Sequence, residues 1–205
     1  MKRVDVVLSG VGGQGILTLA ALMGTAAIVD GYDVRVSEVH GMAQRGGSVV
    51  CHVKIGERVS SPLVMEGSAD MLVSLELSET ARSLQYLKPK GVVVVNNSAL
   101  PPPLSIIAGI PYPSLDALIE DAKKITSDVY VINANEIAKA LGSPLSANVV
   151  MLGAAWATGR LLLSKDSIFK AMARTFGQRA FEANKRAFEE GVKAVEKLLH
   201  DYRYH

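Results

Sequence analysis

The feature that most constrains the fold lies in the first thirty residues. There a short apolar segment is followed by a glycine-rich turn and then by a helical segment. Residues 4–8 are apolar and rich in valine, which predicts a buried strand. Glycines follow at once, and residues 16–30 are rich in Leu, Ala and Met and lack proline, which predicts a helix. A strand, a tight turn and a helix in this order are typical of α/β proteins.

The same alternation continues to about residue 145. Further strands are predicted at 32–39, 48–55, 70–75, 92–96 and 128–132, and helices at 77–87, 115–124 and 135–141. Residues 56–58 predict a hairpin turn, after which a strand would return from Val59. The proline-rich segment 97–114 cannot be the interior of a helix and predicts an irregular loop with a short strand.

Beyond this point the pattern is helical. Residues 148–163 are apolar nearly all round, which predicts a helix buried on more than one side. Ser164 is predicted to cap the next helix, and a final amphipathic helix covers about 178–202. We therefore predict a single domain over 1–205 with a three-layer α/β, Rossmann-like architecture. Its mostly parallel sheet occupies about 1–145, and appended helices occupy about 146–205.

The turn after the first strand carries a nucleotide-binding pattern. Gly10, Gly12 and Gly15 satisfy G-x-G-x-x-G, in which glycines permit a tight turn and the following helix offers free N–H groups to an anion. A tight turn without a ligand satisfies the same pattern. A nicotinamide site also uses an acid about 20 residues further on, and Glu38 lies in that region. An NAD-binding oxidoreductase is therefore one alternative.

Composition excludes other classes of protein. A net charge of +2 with scattered basic residues gives no electrostatic reason to expect nucleic acid as a partner. No apolar run approaches the roughly 20 residues of a membrane span, and the N-terminal run is too short for a signal peptide. A chain with a single cysteine has no disulfide framework, so a reduced, cytoplasmic setting is expected. Cys51 is the only cysteine, which rules out an iron–sulfur ligand set from this chain alone. His40 and His52 are too few to predict a metal site.

Three segments together resemble a known family. They are LSGVGGQGILTLA at 8–20, VSEVHGMAQRGGSVVCHVKIG at 36–56 and SPLVMEGSADMLVSLE at 61–76. They are similar to the gamma-type domain of the 2-oxoacid:ferredoxin oxidoreductases, and most similar to the beta subunit of the members that oxidise indolepyruvate. The likeness extends over nearly the whole chain, and the block VHGMAQRGG is its most diagnostic part.

The resemblance implies a subunit of an enzyme that decarboxylates 2-oxoacids oxidatively. In that family thiamine diphosphate with magnesium carries the chemistry, coenzyme A accepts the acyl group, and iron–sulfur clusters pass electrons to ferredoxin. This chain departs from a thiamine-binding pattern, because it has no Gly-Asp-Gly, and Asn96-Asn97 matches only half of such a motif. A larger alpha-type subunit is therefore expected to supply the thiamine diphosphate, magnesium and clusters.

The candidate site residues lie in two loops. Gly10, Gly12, Gly13, Gln14 and Gly15 would face an anion such as the coenzyme A diphosphate, and Gln44 and Arg45 would complete that site. Gln14 could equally stabilise its own loop, and Arg45 could form a surface or interface ion pair. Glu38 and His40 are weaker candidates for acid–base work. In a third alternative the chain is purely a scaffold, with the helix at 148–163 and Met42 as interface elements.

Overall fold

The protein is built on one mixed sheet of six strands. The computed structural model describes residues 2–41, 46–101, 106, 107, 109 and 111–203. Its strands are β1 (Arg3–Val11), β2 (Asp33–His40), β3 (Ser48–Gly56), β4 (Ala69–Ser74), β5 (Leu87–Asn96) and β6 (Val129–Ile132). They lie in the order β2-β3-β1-β4-β5-β6. The pairs β1–β4, β4–β5 and β5–β6 are parallel, whereas β3 runs antiparallel to both of its neighbours.

Helices cover both faces of this sheet, as the three-layer prediction requires. They are α1 (Ile16–Val29), α2 (Leu77–Ser83), α3 (Leu115–Lys123), α4 (Ala134–Ala140), α5 (Ala147–Ala157) and α6 (Lys165–Arg203). Val6 and Leu8 of β1 belong to a core with α1, α5 and α6, whereas Val7 between them belongs to a smaller core with α2 and α3. Alternate side chains of a strand point to opposite faces, so β1 is buried on both sides.

The C-terminal helices form much of the larger core. All but two residues of α5 are buried, which confirms the prediction of burial on more than one side. The helix ends at Ala157, earlier than predicted, and Gly159 follows with φ 71°, a conformation that ends a helix. Ser164 Oγ accepts a hydrogen bond from the Ser167 N–H at 3.1 Å, as predicted for a helix cap. Gly177, at φ 67° and ψ 172°, breaks α6 one residue before the predicted start of the final helix.

One prediction of a strand was wrong, and a second, the short strand within 97–114, stays a prediction because residues 102–105, 108 and 110 lie outside the described residues. No strand returns after Gly56, and the segment from Val59 to Val64 instead packs as a loop over the sheet. The Val59 N–H donates to Asp33 Oδ2 and the Val64 N–H to His52 Nδ1, at 3.0 and 3.1 Å. The described parts of 97–114 likewise contain no strand. Among the described residues, no helix has both the length and the hydropathy that crossing a membrane would require.

Candidate functional site

The glycine loop, residues 10–15, connects β1 to α1 as predicted, and its backbone requires glycine. Gly13 and Gly15 have φ values of 103° and 82°, in the left-handed region that side chains disfavour. At Gly10 the constraint is space, because an added Cβ would lie 2.8 Å from both Gln14 Oε1 and Ile16 Cδ1. The loop therefore has a single compact shape that other residues would distort.

Gln14 stabilises this loop from inside. Its Oε1 accepts the Val11 N–H at 2.8 Å, and its Nε2 donates to the Leu75 carbonyl at 3.0 Å. The amide thus joins the ends of β1 and β4, which is the loop-stabilising role considered for it. Nε2 carries a second hydrogen, so a contact between Gln14 and a ligand stays a prediction.

The start of α1 offers unpaired backbone donors. The first described bond of this helix runs from the Leu19 N–H to the Gly15 carbonyl at 3.0 Å. Within the described part of the chain, the N–H groups of Gly13, Gly15 and Ile16 find no acceptor. Free donors at the positive end of a 14-residue helix favour an anion in front of them. This is the arrangement that the G-x-G-x-x-G pattern predicted.

The C-terminal end of a second loop lies against the first. The hairpin loop, residues 41–47, joins β2 to β3, and Gly41 N–H donates to the Ser48 carbonyl at 2.9 Å at its base. Gly12 N–H donates to the Gly47 carbonyl at 2.8 Å, and Gly46 N–H donates to the Gly12 carbonyl at 3.4 Å. The two glycine-containing segments therefore form one hydrogen-bonded unit at the carboxyl ends of β1 and β2. The predicted site residues Gln44 and Arg45, together with Met42, lie outside the described residues.

Glu38 and His40 lie on β2, beside this unit. His40 Nε2 is 4.0 Å from Glu38 Oε2, and both side chains are nearly half exposed. His40 lines a cleft of about 270 Å³ together with Val11, Gly12 and Val49. The two side chains are therefore close enough to interact and open to solvent, and the acid–base role suggested for them stays a prediction.

The position of Glu38 argues against a nicotinamide site. In a dinucleotide-binding fold the ribose-binding acid follows the strand next to β1. Here β3 lies between β1 and β2, so Glu38 pairs with Cys51, and Cys51 in turn pairs with Leu8 of β1. At about 4.8 Å per strand, Glu38 is about 10 Å from β1. A dinucleotide on the glycine loop would therefore lack its usual acidic partner.

A larger cleft of about 570 Å³ opens on the other side of the glycine loop. Gln14, Thr18, Asn135, Asn148 and Asn184 provide polar side chains there, and the described lining residues include no charged one. Asn148 at the start of α5 donates from Nδ2 to the Gly15 carbonyl at 3.2 Å. The cleft is therefore a neutral, amide-lined space that begins at the glycine loop.

Asn96 does not act as half of a thiamine motif in this fold. It is 1% exposed, and its Oδ1 accepts the Ala134 N–H at 3.0 Å. Its Nδ2 lies 3.2 Å from the Leu75 carbonyl and 3.3 Å from Asn135 Oδ1. These bonds connect the carboxyl ends of β4 and β5 to the amino end of α4 and leave the side chain within the protein.

Cys51 and His52 are structural residues of β3. Both are buried, and burial together with the charge of Glu38 raises the pKa of the Cys51 thiol to about 12. His52 Nδ1 accepts the Val64 N–H, its ring meets Tyr86 edge to face, and burial together with nearby Lys54 lowers its pKa. Among the described residues, no three of His, Cys, Asp and Glu lie close enough to hold a metal ion.

Sequence reasoning missed three residues that shape this region. Glu76 and Glu79, in the first turn of α2, are 0% and 3% exposed and make several hydrogen bonds at the carboxyl edge of the sheet. Asn148 is the third. Glu76 is the N-cap of α2, but glutamate is not among the residues that usually cap helices, so no capping pattern indicated it. Nothing in the sequence indicates that Asn148 lies against Gly15, 133 residues earlier.

Comparisons with known proteins agree with this geometry. The model of the pyruvate ferredoxin/flavodoxin oxidoreductase family matches residues 5–194. Indolepyruvate oxidoreductase subunit IorB of Thermococcus kodakarensis is 40% identical over 204 residues, which are 97% of this chain and 99% of that protein.

Solved structures show the same fold. The gamma subunit of a keto/oxoacid ferredoxin oxidoreductase from Geobacter sulfurreducens PCA aligns with a TM-score of 0.69 at 26% identity, over 95% of this chain and 99% of that one. A 2-oxoglutarate:ferredoxin oxidoreductase from Magnetococcus marinus, solved with 2-oxoglutarate, coenzyme A and succinyl-CoA bound, aligns with a TM-score of 0.73 at 19% identity. That alignment covers 96% of this chain but 32% of the longer one, so the fold here corresponds to one part of a larger polypeptide.

Proposed function

We propose that this chain, which belongs to the pyruvate ferredoxin/flavodoxin oxidoreductase family, is the smaller subunit of an indolepyruvate:ferredoxin oxidoreductase. Membership in a 2-oxoacid:ferredoxin oxidoreductase complex follows from the match over residues 5–194 and from end-to-end similarity to subunits of such enzymes. The 40% identity with an indolepyruvate oxidoreductase subunit over nearly the full length of both chains carries the proposal of the substrate. The complex would convert an arylpyruvate and coenzyme A into an acyl-CoA and carbon dioxide while it reduces ferredoxin.

The residues of this chain do not fit a cluster or a thiamine site of their own. An iron–sulfur cluster needs several cysteine thiolates, and the one cysteine is buried in β3 with a raised thiol pKa. Asn96, the one motif fragment that pointed to thiamine diphosphate and magnesium, is committed to bonds within the protein. In this proposal a larger alpha-type subunit supplies the thiamine diphosphate, the magnesium and the clusters, and ferredoxin binds to the complex at that subunit.

Coenzyme A does fit the glycine loop. The free N–H groups of Gly13, Gly15 and Ile16 suit a diphosphate, and the adjoining cleft of about 570 Å³ suits an amide-containing chain because its polar lining is uncharged. Arg45 lies one residue before Gly46 in the sequence, and Gly46 bonds to Gly12, so we retain Gln44 and Arg45 as further phosphate donors. The loops of this chain would hold coenzyme A in an active site whose reacting groups belong to the partner.

A docking surface for the larger subunit accompanies this role. Helix α1 contains no charged residue, yet Leu17 and Ile28 on it are 42% and 65% exposed. Val36 of the edge strand β2 is 39% exposed and packs beside Gly24 of α1. A helix without charges is typical of elements covered on all sides. By contrast, α5 is buried within the chain itself, so the scaffold alternative was wrong to make it an interface element.

Co-purification tests the proposal most directly. The chain is produced with its own affinity tag in its native host, and bound proteins are identified and analysed for thiamine diphosphate and iron. We expect a much larger, cysteine-rich subunit, and reduction of ferredoxin by the pair that depends on indolepyruvate and coenzyme A. A chain that purifies alone and binds NADH tightly in calorimetry would reverse the conclusion in favour of the NAD-binding alternative.

A further inference from the structure

A buried carboxylate lies beneath the hairpin loop, and the proposed function does not use it. Glu79 is 3% exposed, and its Oε2 accepts a hydrogen bond from Ser48 Oγ at 2.5 Å. Its Oε1 accepts a hydrogen bond from Arg82 Nη1 at 2.9 Å, and the Arg82 side chain is 66% exposed. The carboxylate therefore has one inward partner, Ser48, and one partner at the surface.

Ser48 occupies the base of the hairpin loop. It is the first residue of β3, it pairs with Val11 of β1, and its carbonyl accepts the Gly41 N–H. The residue before it, Gly47, accepts the Gly12 N–H of the glycine loop. A shift of Ser48 would therefore displace Gly41 and Gly47 of the hairpin loop and Val11 of the glycine loop.

The same helical turn also anchors the other side of the site. Glu76 is fully buried, its Oε2 accepts from Ser78 Oγ and the Glu79 N–H, and its Oε1 accepts the Leu100 N–H at 3.2 Å. Leu100 lines the larger cleft. Glu76 thus holds the start of α2 and Leu100 at the wall of the cleft, whereas Glu79, three residues later, holds Ser48.

The charge of Glu79 has a function that a neutral side chain would not reproduce. A carboxylate accepts through both oxygens at once, and hydrogen bonds to a charged acceptor are shorter and stronger than neutral ones. A glutamine in its place would offer one acceptor and one donor. If its oxygen accepted from Arg82, its NH2 would face Ser48 Oγ, and the bond to Ser48 would be a neutral one with the hydroxyl as acceptor.

We infer that Glu79 is a positioning residue for coenzyme A binding, because its carboxylate holds Ser48 and thereby keeps Gly46 and Gly47 against Gly12 of the glycine loop. This inference rests on the proposed role of these two loops. Glu79 acts through Ser48 and does not itself touch the ligand.

Two variants in the complete complex test the anchor from each end. Ser48→Ala removes the donor and Glu79→Gln removes the charge, while Ser48→Thr restores a hydroxyl. Ser60→Ala and Glu120→Gln change exposed residues of the same types and serve as controls. The steady-state KM values for coenzyme A and for the 2-oxoacid are measured together with kcat.

We expect Ser48→Ala and Glu79→Gln each to raise the KM for coenzyme A about tenfold, which corresponds to the loss of one charge-assisted bond. The KM for the 2-oxoacid should stay unchanged, Ser48→Thr should restore most of the affinity, and the double variant should be no worse than either single one. A general loss of stability would instead lower kcat and affect both substrates alike.

Hydrogen exchange at the amides of Gly12, Gly41 and Gly46 separates this inference from the proposed function. Faster exchange in both variants with an unchanged KM for coenzyme A would support the anchor and reject the coenzyme A role of the loops. Exchange at the wild-type rate in both variants would overturn the anchor itself, whatever the kinetics show.

Discussion

Gly153 of α5 and Gly191 of α6 face each other's helix so closely that the two backbones touch. A Cβ built on Gly153 would lie 2.0 Å from the Phe188 carbonyl oxygen, and one on Gly191 would lie 2.0 Å from the Val150 carbonyl oxygen. No side chain fits at such distances, so the helices would have to separate. This contact sets the position of α5, and α5 carries Asn148 to the glycine loop.

Alanine at either position should therefore destabilise the protein. We expect Gly153→Ala and Gly191→Ala each to lower the free energy of unfolding by about 2–3 kcal/mol, as overpacked cores do. Urea denaturation of the purified chain measures this. Gly24→Ala is the matched control, because the new Cβ would lie 3.5 Å from Val36 in ordinary contact and alanine favours a helix. Equal stability of all three variants would contradict the close approach.

Arg45 provides a test of the coenzyme A proposal. Replacement by alanine should raise the KM of the complex for coenzyme A about tenfold or more, because a charged hydrogen-bond donor to phosphate would be lost. Arg58→Ala is the control, since Arg58 is exposed and follows the opposite end of β3. Steady-state kinetics with ferredoxin as acceptor measure both. A KM that does not change in the Arg45 variant would remove this residue from the site.

Asp30 should make stability depend on pH. Partial burial alone would raise the pKa of Asp30, but bonds from the Ser164 N–H and from the hydroxyls of Ser164 and Ser167 outweigh it and lower the pKa. The stabilisation is therefore complete above the unfolded value of about 3.9 and disappears as the pH falls through the lower, folded pKa. Asp30→Asn should cost about 1 kcal/mol at pH 7, in line with the loss of a helix cap.

Urea unfolding at pH 7 and at pH 3 measures this contribution. The difference between the wild type and Asp30→Asn should be present at pH 7 and smaller at pH 3, where part of the wild-type carboxylate is protonated. Glu120→Gln, at an exposed position of α3, should show no such dependence. A constant difference at both values of pH would mean that the charge of Asp30 contributes nothing.

The exposed side of α1 should bind the larger subunit. Ile28→Asp places a charge on the apolar surface, and we expect the affinity between the subunits to fall about tenfold or more while the isolated chain keeps its stability. Met65→Asp is the matched control, because Met65 is 77% exposed but lies on a different segment. Titration calorimetry of the two subunits compares the variants. Undiminished affinity for Ile28→Asp would place the interface elsewhere.

The sequence predicted most of the local structure because local signals determined it. The composition of residues 16–29 favours a helix, and the side chain of Ser164 caps one. Gly13 and Gly15 in the first loop adopt backbone angles that other residues avoid. These features depend on neighbours within a few positions in the chain. Val59 is an exception to this local agreement. The pattern around it predicted a strand, whereas its N–H donates to Asp33, 26 residues earlier.

The arrangement of the site was harder to predict because it depends on pairing between distant segments. Periodicity identified β3 but not its place between β2 and β1, and that place decides that Glu38 lies two strands from the glycine loop. Ser48 and Glu79 are 31 residues apart and meet only once β1, β3 and β4 have their register. The resemblance identified the hairpin loop as important, whereas its anchor became visible only in three dimensions.

The reversed strand β3 also has a consequence for the order of folding. Strand β3 lies between β1 and β2, and it can take that place only after the chain has reversed direction between β2 and β3. Nascent chains that end between Gly15 and Gly46 therefore contain the whole glycine motif but lack the carbonyl of Gly47 and the amide of Gly46 that bond to it. The glycine loop is therefore synthesised early, yet it makes these hydrogen bonds only once β3 has joined the sheet.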